Sequence, residues 1–236
     1  MKILQITTKL VHKSLSYLLW KYNKWILFSF IQRPDFASIY NKITVKDKRT
    51  TLEANEIFNI YSSVIATAKV RGDIAEVGVY RGGSAKIICL MSDKIGINKK
   101  IHLFDTFEGL PEVMDIDTKW KKKRKFKKGE FAASLQSVQN YLKAHKNVQY
   151  HKGFFPSTAE PVRKTKFSFV HLDVDIYQST KDCLEFFYPR MNKGGVIISH
   201  DYPFANGVKK AFDEFFRNKA EIVISLMNKQ AMVVKL

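Results

Sequence analysis

From Asp73 onward, short apolar runs alternate with apolar stripes at helical spacing. The strand-like runs are Ile74–Val79, Lys100–Asp105, Val148–His151, Phe167–Val174 and Gly195–Ser199. Nearly continuous apolar runs of this length are what strands covered on both faces look like. Between them, Phe131, Leu135, Val138 and Leu142 recur at helical spacing, and so do Val208, Phe212 and Phe215. Ser179 or Thr180 is placed to cap a helix running to about Tyr188, ahead of Pro189. Earlier, Thr50 and Glu53 stand at capping-box spacing before the stripe Ile57, Tyr61, Val64, Ala68. Two last runs, Glu221–Leu226 and Gln230–Val234, are separated only by Met227, Asn228 and Lys229, which predicts an antiparallel pair. Strands alternating with helices in this way predict an α/β fold with a mostly parallel sheet.

Two segments break the pattern. Residues 1–35 are apolar and aromatic, but the best run, Trp25–Ile31, is far short of the roughly 20 residues a spanning helix needs. Lys13, Lys21 and Lys24 interrupt the wider window, and no small-residue cleavage site follows. The mixture of Leu18, Leu19, Trp20, Lys21, Tyr22, Lys24 and Trp25 suits a membrane surface, a neighbouring subunit or a cover over a site. Pro34 and Asp35 then mark a break. The second segment, Lys119 to Lys128, carries eight basic residues in ten, with Trp120 and Phe126 interleaved. It reads as a mobile, solvated loop, with an anion-binding lid as the functional alternative. The expected organisation is a basic, aromatic extension over residues 1–49 and one catalytic-type domain over 50–236.

Composition changes this picture little and charge changes it more. The 236 residues are 45% apolar and 26% charged, an ordinary globular balance that excludes collagen-like and disordered classes. Cys89 and Cys183 both lie in apolar runs and read as reduced core thiols, which fits a cytoplasmic protein. Lys and Arg number 40 against 22 Asp and Glu, a formal net charge of +18. Such an excess suits an anionic partner or a lysine-biased proteome.

Four stretches carry candidate chemistry. Glu76-Val-Gly78-Val-Tyr80-Arg-Gly82-Gly83-Ser84 follows a strand and opens a helix, so its backbone can approach a ligand beside free helical N–H groups. Its spacing is not that of the dinucleotide fingerprint. Glu76 is placed to face a cationic amine. Leu103-Phe-Asp105-Thr-Phe-Glu-Gly109-Leu-Pro111 puts an acid at the end of the second strand, where a carboxylate can hold both hydroxyls of a ribose or simply cap a helix. His171-Leu-Asp173-Val-Asp175-Ile-Tyr177 places two carboxylates at a strand end, sharing a face if alternation persists. Paired acids there suit a metal ligand and a general base. Ser199-His200-Asp201-Tyr202 ends the fifth strand; Asp201 can join Asp173 on a cation. His200 can ligate, act as base or hold Asp175.

With these motifs in place, the chain resembles the macrocin O-methyltransferase-like family of class I S-adenosylmethionine-dependent methyltransferases. The likeness rests on Glu76–Ser84, Asp105–Pro111, Ser134–Val138, Gly153–Thr158, His171–Thr180, Gly194–Tyr202 and Gly207–Asp213, and covers roughly Thr50 to the C-terminus. It implies a Rossmann-like seven-stranded sheet, its last strand antiparallel, with helices on both faces. It implies S-adenosylmethionine as cofactor, with Glu76, Gly78, Val79, Tyr80 and Gly82 along its methionine part and Ser84 just beyond. Asp105, flanked by Thr106 and Phe107, holds the ribose on this view. Ser134, Phe154 and Phe155 line the adenosine pocket, although Ser134 serves equally as a helix cap. Asp173 contacts cofactor and binds a divalent cation, magnesium in the relatives, while Asp175 takes the proton from a sugar hydroxyl. One departure is plain: relatives carry two adjacent aspartates where this chain has His200-Asp201. An imidazole weakens the case for magnesium, which prefers oxygen, and leaves His200 a second candidate base.

The expected activity is O-methylation of a sugar, glycoside or related hydroxyl, metal-assisted. The expected partner is a small-molecule or glycan acceptor, anionic or lipid-linked, without nucleic acid. Peripheral contact of the N-terminus with the inner membrane surface and homodimerisation stay open. The alternatives are a nucleic-acid methyltransferase, prompted by the charge, and a non-catalytic basic adaptor that keeps the fold.

Overall fold

The computed structural model describes residues 34–119 and 124–236. The readings made above for residues 1–33 and for Trp120 lie outside them. The described residues fall into two units divided between Lys42 and Ile43. Of the first, helix α1 spans Pro34–Asn41, so the break at Pro34 is a helix start, where a fixed φ is already suitable.

The second unit is built on a seven-stranded sheet. Its strands are β1 (Asp73–Val77), β2 (Ile101–Asp105), β5 (Val148–Lys152), β6 (Phe167–Leu172), β7 (Met191–Ser199), β8 (Ile224–Ser225) and β9 (Ala231–Val234). They lie in the order β5-β2-β1-β6-β7-β9-β8. The first five are mutually parallel. β9 runs antiparallel to both β7 and β8, as the C-terminal pattern predicts. The remaining helices are α2 (Ala54–Ala66), α3 (Gly83–Lys94), α4 (Leu135–Leu142), α5 (Tyr177–Phe187) and α6 (Asn206–Phe216).

Period-2 alternation sorts the core. Ala75, Val77, Phe104, Val170 and Leu172 pack with Cys183, Leu184 and Phe187 of α5 and with Val208 and Phe212 of α6. The alternate set on β1 and its neighbours, Ile74, Ile101, Leu103 and Phe169, is buried too. Both faces of the sheet are therefore covered, which is why the strands read as unbroken apolar runs. Cys89 and Cys183 are buried and unbridged. Burial raises both thiols above the ordinary cysteine range, so neither is a nucleophile.

Three local readings are corrected. The capping box is Glu53 with Glu56, not Thr50 with Glu53: Glu53 N–H donates to Glu56 Oε2 at 2.7 Å. The stripe ends accordingly, with Ala68 beyond the helix. Ser179 and Thr180 lie inside α5, and the amide of its first residue, Tyr177, donates instead to Asp117 Oδ1 at 2.7 Å. A cap supplied across the fold leaves no local sequence signal. Finally, the flanks of the basic segment are ordered rather than a free loop. Thr118–Lys119 (β3) and Arg124–Lys125 (β4) pair antiparallel, and Phe126 is buried. Among the described residues no helix is long and apolar enough to cross a membrane.

Candidate active site

Chain order puts β2 and β5 to one side of β1 and β6 to the other. Such a reversal opens a crevice at the carboxyl ends of the strands. A cavity of about 350 Å³ lies there. It is lined by residues that follow each parallel strand: Gly78 and Tyr80, Asp105 and Thr106, Gly153–Phe155, Asp173–Asp175, and His200 with Asp201. Its floor includes Val77, Phe104 and Phe155. Phe155 stacks on Phe187 (5.2 Å between centroids) and meets Phe104 edge-on (5.3 Å). The floor is thus continuous with the aromatic core.

Two loops are tied together beside it. Asp105 Oδ2 accepts Val79 N–H at 2.7 Å and Tyr80 N–H at 2.9 Å, while Oδ1 accepts Phe107 N–H at 2.6 Å. Asp105 therefore organises the glycine turn after β1, and one lone-pair direction on Oδ1 remains for a ligand. Gly78 has φ +88°, and a Cβ there would sit 1.9 Å from the Asp173 carbonyl. The glycine is needed first for the approach of the protein's own backbone. Tyr80, Phe107, Asp175 and Asp201 all have φ between +50° and +62°. Strain of this kind in non-glycine residues concentrates at functional sites.

Five titratable side chains, Glu56, Asp173, Asp175, His200 and Asp201, converge at the end under β6 and β7. His200 Nδ1 lies 3.0 Å from Asp173 Oδ1 and 3.5 Å from Asp201 Oδ1. Glu56 Oε2 approaches the other ring nitrogen, Nε2, at 3.5 Å. Neither nitrogen makes an aligned hydrogen bond. Burial opposes charge on His200, but Asp173, Asp201 and Glu56 outweigh it and hold the imidazole well above the usual histidine value. Asp201 is held low by His200 against the effect of its own burial. Asp175 is driven the other way: burial, then Asp201 and Asp173, push its carboxyl well above the usual range. Two neighbouring acids with opposed shifts are what acid–base division of labour requires.

Asp175 and Asp173 lie beyond the last residue of β6, Leu172, so strand alternation does not place them. The loop does, through the left-handed turn at Asp175. Of the other residues singled out above, Gly78, Tyr80, Asp105, Thr106, Phe154, Phe155, His200 and Asp201 line the cavity. Val79, Gly82, Ser84 and Phe107 do not; Val79, Gly82 and Phe107 lie in the loops after β1 and β2, and Ser84 in the first turn of α3. Glu76 is fully buried outside it, its Oε1 2.8 Å from His171 Nδ1. Ser134 caps α4, accepting Ser137 N–H at 3.3 Å. Sequence reasoning missed Glu56, Phe131, Phe204 and Lys229 as site residues, whereas Phe126 belongs to the basic segment for which a lid was the functional alternative. Only Glu56 left a trace, as an acid inside an apolar helical stripe; the others arrive from loops with no shared motif.

Solved structures similar in fold include the O-methyltransferase NovP (TM-score 0.71, 24% identity, 79% of this chain and 82% of that one). The calicheamicin methyltransferase CalS11 is another (TM-score 0.67, 18% identity, 86% and 93%). The strand order and the crevice at its switch point define a Rossmann-like methyltransferase fold. The family profile described as macrocin-O-methyltransferase (TylF) matches residues 53–234, and the chain belongs to that family. Similar characterised proteins are an 8-demethyl-8-(2,3-dimethoxy-alpha-L-rhamnosyl)-tetracenomycin-C 4'-O-methyltransferase of Streptomyces olivaceus (32% identity over 140 residues) and a demethyldecarbamoylnovobiocin O-methyltransferase of Streptomyces niveus (28% over 166). The matches cover 56% and 67% of this chain but only 54% and 63% of those relatives.

Proposed function

We propose that the protein is an S-adenosylmethionine-dependent O-methyltransferase acting on a hydroxyl of a sugar, glycoside or related small molecule. The observation that carries this is the cavity itself, with the Asp105-tied loops on one side and Asp173, Asp175, His200 and Asp201 on the other. The family supports the reaction class, and the substrates named for the relatives support the acceptor class.

When bound, the cofactor supplies an electrophilic methyl group on a sulfonium. The chain's part is to align an acceptor hydroxyl and to take its proton. Asp175 is the base on this reading: it lines the cavity beside Asp173 and Asp201, and a carboxylate there can take the proton of an acceptor hydroxyl. The floor of Val77, Phe104 and Phe155 is apolar. Asp105 holds the ribose through its remaining Oδ1 lone pair while fixing Val79 and Tyr80.

A divalent cation fits the donor set. One ligand atom from each of Asp173, His200 and Asp201 lies within 4.8 Å of the others, and His200 Nδ1 is buried without an aligned hydrogen bond. Those three residues would hold the cation, which would acidify and orient the acceptor hydroxyl. Three carboxylates at the reacting end also disfavour a phosphate beside the transferred methyl unless a cation shields it.

The test is transfer of labelled methyl from S-adenosylmethionine to a panel of hexoses, deoxyhexosyl nucleotides and glycosides. Asp175→Asn is expected to lower turnover by at least about 100-fold while keeping S-adenosylhomocysteine binding. Full activity in that variant would place the base elsewhere.

A further inference from the structure

Glu56 is fully buried on α2, among Ile57, Ile60 and Val64. Burial of a carboxylate is expensive unless a specific partner compensates. Closing the capping box does not require such a position, since caps work at the exposed start of a helix. Glu56 uses Oε2 both for Glu53 N–H (2.7 Å) and to face His200 Nε2 (3.5 Å), and its Oε1 has no hydrogen-bond partner. On the far side of the same ring, Nδ1 faces Asp173 Oδ1 and Asp201 Oδ1. The order is therefore carboxylate, imidazole, then a convergence of two more carboxylates. Off-axis contacts on both nitrogens, with the ring 10% exposed, describe a group held in place rather than one closed by its own hydrogen bonds.

Metal-ligating histidines are commonly oriented in this way, the second nitrogen turned toward a carboxylate that fixes ring and tautomer. We propose that Glu56 is a positioning residue that turns His200 Nδ1 into a divalent-cation site completed by Asp173 and Asp201. We further infer that this mixed nitrogen–oxygen set selects a transition-metal dication of the manganese or cobalt kind over magnesium. Imidazole is a good ligand for such ions, whereas magnesium favours an all-oxygen octahedral shell. With the Nε2 hydrogen turned toward Glu56, Nδ1 would be the ligand atom. The inference rests on the methyltransferase reading for the cation's use, but its test does not.

The experiment titrates the full chain with Mg2+, Mn2+ and Co2+ by calorimetry, with and without S-adenosylhomocysteine, and records pulsed EPR of the Mn2+ form. Wild-type protein is expected to bind Co2+ at least about 100-fold more tightly than Mg2+. Its Mn2+ spectrum should show coupling to one imidazole nitrogen. His200→Asp should abolish that coupling and narrow the Co2+/Mg2+ gap by at least about tenfold. Glu56→Gln, which keeps an acceptor for Glu53 N–H, should weaken Co2+ binding about 10- to 100-fold without changing S-adenosylhomocysteine affinity. Absence of metal binding, bound Mn2+ without nitrogen coupling, or Glu56→Gln with wild-type Co2+ affinity would each overturn the proposal. Because the metal titrations are also run alone, failure of S-adenosylhomocysteine to bind would count against the methyltransferase reading only.

Discussion

Asp105 shows how one side chain serves both fold and site. Three backbone N–H groups from two loops converge on its carboxylate. Asp105→Ala should therefore do more than weaken cofactor binding: it leaves Val79, Tyr80 and Phe107 without their acceptor. A loss of about 2–4 kcal/mol in urea unfolding is expected alongside the affinity loss. A variant that loses affinity at wild-type stability would mean that the loop ties are dispensable. His151 gives a pH effect of known sign. Burial, then the charge of His102, lowers its pKa to about 4, below the ordinary 6.5. The fold prefers the neutral ring, so its contribution is present above about pH 6.5 and is lost as pH falls toward 4. The ring also stacks on Phe104 at 4.3 Å. Unfolding free energies measured from pH 7 to 4.5 should drop less steeply in His151→Asn than in wild type. Parallel slopes would contradict this assignment.

Among elements, the paired strands β3 and β4 are anchored through partners distant in sequence. Asp117 accepts Tyr177 N–H at the start of α5 and Met114 N–H at 2.8 Å, and Asn206 of α6 donates to Thr118 Oγ1 at 2.7 Å. Gly207 makes the approach feasible, since a Cβ there would lie 2.3 Å from Asp117 Oδ1. Asp117→Ala and Gly207→Ala should each destabilise the protein by about 1–3 kcal/mol. They should also impair ligand binding, because Phe126 of the cavity wall follows the hairpin. Unaltered melting temperatures in both would show that the hairpin is not anchored through α5 and α6. This is where sequence reading was weakest. The strands after Gly72 were legible because burial on both faces leaves apolar runs, and α6 because Val208, Phe212 and Phe215 recur at helical spacing. The cap of α5 and the hairpin's anchor were not, because Asp117 and Tyr177 are 60 residues apart.

Over the whole molecule, the strand-end motifs were readable as a group because the topology sends every parallel strand's carboxyl end to one crevice. Gly78, Asp105, Asp173, Asp175, His200 and Asp201 meet there as their positions after strands imply. What the motifs did not disclose was Glu56, which reaches the site from a helix outside the strand-end series. The net charge of +18 is likewise a property of the chain and not of the crevice, where Asp173, Asp175 and Asp201 gather under β6 and β7. The central claim is that this crevice binds the sulfonium cofactor. It is tested most directly by calorimetry of the full chain with S-adenosylhomocysteine. Micromolar affinity, about −8 kcal/mol, is the predicted result. No detectable binding by folded protein would contradict the methyltransferase assignment.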